Sequence, residues 1–147
     1  MPIQDNIRLI RTQFEALSKG DIDAAVLMVD KNFEGTNVPF NTKKRGQQGF
    51  RDFLNLWFNA VPDAKIDIKN IQATEEWVVV EFTGKGRNEG PFNAPEGPIM
   101  PTGKEVELQF CELFQVRGGK VIRAKLYFDA ASLMRQLGVA PELKMQA

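Results

Sequence analysis

The chain has 147 residues, with 19 Lys and Arg balanced by 19 Asp and Glu, one Cys, one Tyr and no His. That length suits one domain over residues 1–147 with a core of its own, and the neutral balance leaves no basic excess for nucleic-acid phosphates. Without His, the commonest general acid–base and metal-ligating side chain is missing, so proton chemistry falls to carboxylates, Lys or Tyr127. Ile3, Ile7, Ile10, Phe14 and Leu17 recur at helical spacing and predict a first amphipathic helix. It stops at Gly20, and Asp21 is placed to cap a second helix through Ile22, Ala25, Val26 and Val29. A short early strand is expected near residues 32–38. Phe50, Phe53, Leu54, Trp57 and Phe58 predict a third helix, ended by Pro62.

After Pro62 the period changes to about two. Ile66 and Ile68, a turn at Thr74-Glu75-Glu76, and residues 77–82 read as a hairpin. Residues 88–103 are too rich in Pro and Gly for an element interior, and read as a loop folded over something. Two long strands follow, residues 104–116 and 120–128, around a tight turn at Gly118-Gly119. Asp129 then precedes a short helix, residues 133–137. Helices before strands indicate an α+β domain: about three N-terminal helices on one face of a curved antiparallel sheet, with a pocket between the layers. Lys43-Lys44-Arg45 reads as a solvated loop, and no Cys or His cluster has zinc spacing, so neither a metal nor a cofactor is expected.

A two-residue turn at Gly118-Gly119 sets a register in which Arg117 faces Lys120. Phe114 then faces Arg123, Glu112 faces Lys125, Phe110 faces Tyr127 and Leu108 faces Asp129, all on one side of the sheet. Aromatic groups would share that wall with a Glu–Lys pair, a phenol and a carboxylate, the mixture a ligand pocket needs. Simpler roles are available for the same residues. Asp129 can cap the helix that follows it, Glu112 and Lys125 can be an exposed cross-strand pair, and Tyr127 and Trp57 can be core aromatics. Cys111, without a His partner, reads as an inert thiol.

Several stretches resemble the SnoaL-like polyketide cyclase group of the nuclear-transport-factor-2-like superfamily. They are residues 16–21, residues 57–63, Pro101-Thr102-Gly103-Lys104, Gly119-Lys120-Val121-Ile122, and above all residues 127–138 with their D-x-x-x-L-x-x-Q-L-G ending. The resemblance spans nearly the whole chain. It implies a cone-shaped α+β fold with a deep pocket, commonly a homodimer, and a pocket aspartate acting as general acid/base in a cofactor-free aldol ring closure. Asp129 matches that aspartate. The chain departs from the group at Asn88, where members often carry a His.

The expected function is therefore a cofactor-independent cyclase or isomerase acting on a hydrophobic carbonyl or polyketide-like molecule, with Asp129 as the catalytic group. Tyr127, Glu112, Lys125, Phe110, Phe114, Trp57 and Asn88 are the expected pocket residues. A non-catalytic binding or dimerising module of the same fold is the alternative, and an epoxide-hydrolase-like enzyme, which needs an Arg between two carboxylates, comes third. No nucleic-acid or membrane partner is expected. The single Cys and the absence of an apolar leader or a bilayer-length apolar run point to the cytoplasm.

Overall fold

A computed structural model of the chain describes residues 2–139. The elements are α1 (Ile3–Ser18), α2 (Ile22–Val26), β1 (Val29–Asn37), β2 (Thr42–Arg45), α3 (Gly46–Ala60), β3 (Lys65–Ala73), β4 (Trp77–Arg87), β5 (Phe92–Ala94), β6 (Gly97–Ile99), β7 (Glu105–Arg117), β8 (Lys120–Phe128) and α4 (Ala130–Leu137). Six strands form one curved sheet in the order β2-β1-β8-β7-β4-β3, and β5 and β6 form a separate ribbon. The architecture is α+β as expected, but the sheet is mixed, because β1 lies parallel to β8. Among the described residues no helix is long and apolar enough to cross a membrane.

Local chemistry explains most element boundaries. Helix α1 buries Ile10, Phe14 and Leu17 along the predicted stripe. The chain then turns at Gly20, whose φ is +73°, and the Asp21 carboxylate accepts the Ala24 N–H to start α2. That helix is shorter than its apolar spacing suggests: Val29 belongs to β1, where it pairs with Val121. Lys43, Lys44 and Arg45 are not a loop but the edge strand β2, a place where Lys side chains protect an open strand edge. Glu34 on β1 meets both Lys43 and Arg45. The Pro- and Gly-rich stretch contains the β5–β6 ribbon.

Helices α1 and α3 pack against the inner face of the sheet. The core between the layers joins Ile10, Phe14, Phe50 and Phe53 to Val78, Val80, Phe114, Ala124 and Leu126. Phe14 meets Phe82 and Phe114 edge-on, at 5.0 and 6.2 Å between ring centroids.

The β7–β8 hairpin departs from the regular register in one place, and this moves half the expected wall. Gly118 and Gly119 both have positive φ, and Arg117 faces Lys120 as predicted. Val116 faces Val121, but Gln115 then faces Arg123, so Ile122 is an extra residue, a β-bulge. Beyond it Phe114 faces Ala124, Glu112 faces Leu126 and Phe110 faces Phe128. Ala124, Leu126 and Phe128 therefore join the inner face. Arg123, Lys125 and Tyr127 share the outer face with Cys111 and Leu113, where Lys125 and Tyr127 are exposed. An unbulged hairpin would press two cationic side chains into the apolar layer, at a desolvation cost of several kcal/mol each.

Candidate active site

Between α1, α3, α4 and the inner face of the sheet lies a cavity of about 100 Å³, within about 850 Å³ of interatomic space that reaches open solvent. Its wall is largely apolar, with a cluster of aromatic rings. Trp57, on α3, packs edge-on against Phe92, Phe110 and Phe128 at 5.4, 5.2 and 4.9 Å, and Phe110 stacks on Phe82 at 5.0 Å. The helical spacing that predicted α3 thus aims Trp57 at the sheet, and strand alternation aims Phe82 and Phe110 back at it. Gly84 leaves room beside them: a Cβ there would stand 3.0 Å from the Phe110 ring.

One carboxyl lines this cavity. Glu112 sits on β7 between Val80 of β4 and Leu126 of β8, and only 7% of it is exposed. Burial alone pushes its carboxyl up from an ordinary glutamate value to about 8. A partner cation or donor would oppose such a shift, and none among the described residues does so. At neutral pH the group is mostly the uncharged acid, able both to donate a hydrogen bond and to become a strong carboxylate base.

Asn88 also lines the cavity, 1% exposed. Its Nδ2 donates to Ala60 O and Gly90 O, both at 3.0 Å, and its Oδ1 accepts from Thr102 N–H at 2.8 Å and Thr102 Oγ1 at 2.9 Å. Two donors and two acceptor sites are the whole capacity of an amide. Asn88 ties the end of α3 to both ends of the segment carrying the ribbon, and it has no bond left for a ligand.

The remaining expected site residues separate. Phe110 and Trp57 line the cavity, while Phe114 is a core residue 1% exposed and outside its lining. Lys125 and Tyr127 lie on the outer face through the bulge, so the predicted Glu112–Lys125 pair does not form. Asp129 is exposed, lies outside the cavity lining, and accepts the Ser132 N–H at 3.1 Å as the N-cap of α4.

The sequence ending around Asp129 has a complete structural reading. Asp129 starts α4, Leu133 and Leu137 close the cavity, and Gly138, with φ +76°, ends the helix. Gln136 accepts the Glu107 N–H at 2.7 Å and donates to Glu107 O at 2.9 Å, so its amide acts as a strand neighbour where β7 extends past β8. The motif docks a lid helix. Sequence reasoning placed Glu112 on the pocket wall but gave the proton-handling role to Asp129. The available signal was the position of an acidic residue among alternating apolar ones, Leu108, Phe110, Phe114 and Val116.

No curated protein matches the chain. Solved structures share its fold. A candidate SnoaL-like polyketide cyclase from Jannaschia sp. CCS1 has a TM-score of 0.83 at 20% identity, covering 95% of each chain. AclR, a candidate hydroxylase from Streptomyces galilaeus, has a TM-score of 0.80 at 18% identity over 95% of this chain and 100% of its own. An LEH-like epoxide hydrolase from M. tuberculosis has a TM-score of 0.70 at 21% identity over 92% and 90%. These likenesses show that the fold is shared, and the SnoaL-like polyketide cyclase family model matches residues 7–137. The chain belongs to the SnoaL-like polyketide cyclase family.

Proposed function

We propose that the protein is a cofactor-independent acid–base enzyme of the cyclase or isomerase type, acting on a compact hydrophobic carbonyl compound, with Glu112 rather than Asp129 as the proton-transfer group. The observation that carries this reading is a buried carboxyl, pushed to about 8, on the wall of an apolar cavity. Ionised Glu112 takes a proton from the carbon next to a carbonyl and leaves an enolate. The acid so formed returns the proton, either to another carbon or, after the enolate carbon has attacked a second carbonyl, to the new alkoxide oxygen. With a pKa near 8, about one-tenth of the protein carries the base form at pH 7. A positioned acid or base of this kind is worth about 10²–10⁴-fold in rate. At about 100 Å³ the cavity is smaller than the ~150 Å³ dry cavity that admits benzene, so it favours a substrate of no more than one ring, extending into the open space beside it.

The test is turnover on a panel of small cyclic ketones and keto esters by wild type, Glu112→Gln and Asp129→Asn. Loss of about 10²–10⁴-fold in the first variant only is expected, with wild-type kcat/KM rising as pH approaches 8. Full activity in Glu112→Gln refutes the assignment. A wild-type protein that binds panel members at Glu112 and converts none is a binding module of the same fold, the competing reading. An epoxide-hydrolase mechanism fits less well, because the cavity lining contains one carboxylate and no Arg.

The outer sheet face carries half-buried Trp77, Val79, Cys111 and Leu113 beside Tyr127, which is 43% exposed. That surface supports a homodimer, and light scattering on the wild type against Leu113→Arg checks it. The single free Cys111 supports a cytoplasmic location.

A further inference from the structure

A second cleft, of about 350 Å³, opens along α3 between the β1–β2 turn and the β5–β6 ribbon, and shares only Phe53 with the lining of the Glu112 cavity. Its chemistry is different. Four of the chain's nine asparagines, Asn37, Asn55, Asn59 and Asn93, line it, while Lys44 and Asp52 at its rim cancel in charge. Asn55 and Asn59 stand one turn apart on α3, where Asn is a poor helix former, so helix stability does not account for them.

Asn37 is the most telling member. It is 2% exposed, and its Oδ1 accepts the Phe40 N–H at 3.2 Å, which fixes the amide and makes Nδ2 the free end. That buried Nδ2 has no partner among the described residues. An unpaired buried donor is costly in the empty protein, and a ligand acceptor relieves it where the side chains covering Nδ2 shift, because the atom itself has almost no accessible surface. Each amide both donates and accepts, the pattern that vicinal hydroxyls present in return. Phe40 and Pro95 add apolar surface for a C–H face. The lack of a net charge argues against phosphate or carboxylate ligands.

We propose that this cleft binds a neutral pyranose, as a free sugar or as the sugar of a glycoside. The site is independent of the Glu112 reading. The test is a titration of isotope-labelled protein with methyl α-D-glucopyranoside, methyl α-D-galactopyranoside and methyl α-L-rhamnopyranoside, following the side-chain amide signals of the four asparagines. At least one glycoside moves them saturably in the millimolar range. In a double variant, Asn55→Ala with Asn59→Ala, that affinity falls about tenfold, while the Glu112 carboxyl titrates as in wild type. Ala favours helix, so α3 persists. Amide signals unmoved by all three glycosides, equal affinity in the double variant, or a response to adenosine without any to the glycosides would each overturn the proposal.

Discussion

Glu112→Gln keeps the shape of the side chain and removes its ionisation, so it isolates what the buried carboxyl does to stability. In the folded protein the group releases its proton near pH 8, whereas an unburied glutamate does so near 4.5. Between those values the native state holds a proton that the unfolded chain has lost, so stability falls as pH rises and levels off above about 8. At roughly 1.4 kcal/mol per pKa unit, the loss across the window is about 4–5 kcal/mol, against total stabilities of about 5–15 kcal/mol for such domains. Other shifted groups act elsewhere. Hydrogen bonds from Gln115 and Arg117 hold Glu76 below its ordinary range, so its contribution is lost only in acid. Burial, with Glu81 and Glu112 charge, pushes the Cys111 thiol up from its ordinary value. Urea unfolding from pH 5 to pH 9, with m-values compared, should show wild type and variant alike at the acid end. Near pH 9 the variant should be more stable by about 4 kcal/mol. An identical pH slope in the two proteins would refute the buried, unpartnered carboxyl and the catalytic reading built on it.

Asn88→Ala removes four hydrogen bonds, leaves Gly90 O and the Thr102 N–H without partners, and leaves Ala60 O with the Gly90 N–H alone. It should cost about 2–4 kcal/mol in urea unfolding and speed proteolytic cutting within residues 89–101; wild-type stability would refute the latch. Asp129→Ala removes the cap of α4 and should lower stability by about 0.5–2 kcal/mol in thermal melts; an unchanged melting temperature would refute the cap. Gly84→Ala places a Cβ 3.0 Å from the Phe110 ring. It should cost about 1–3 kcal/mol and weaken uptake of apolar ligands, read by quenching of Trp57 fluorescence in a Trp77→Phe background.

The apolar spacing along residues 3–17 and 50–58, the change of period after Pro62 and the glycine turn at 118–119 determined the helices, the strands and the α+β class, because each is a local signal that one face of one element must be buried. The Asp129 cap was legible for the same reason: its partner lies three residues away. Register was not local. A regular hairpin put Lys125 and Tyr127 on the pocket wall, yet the alternation of Arg123, Lys125 and Tyr127 with Ala124, Leu126 and Phe128 already pointed the other way. The Ile122 bulge sets the hairpin's final register, and the parallel pairing of β1 with β8, which joins opposite ends of the chain, leaves no short-range pattern. Sequence alone therefore determined that an acidic residue would face an apolar wall. Tertiary structure kept Glu112 there and left Asp129 outside the lining, because the Ile122 bulge turns β8 and the burial that raises the Glu112 pKa is created by α1, α3, α4 and three strands closing around one carboxyl.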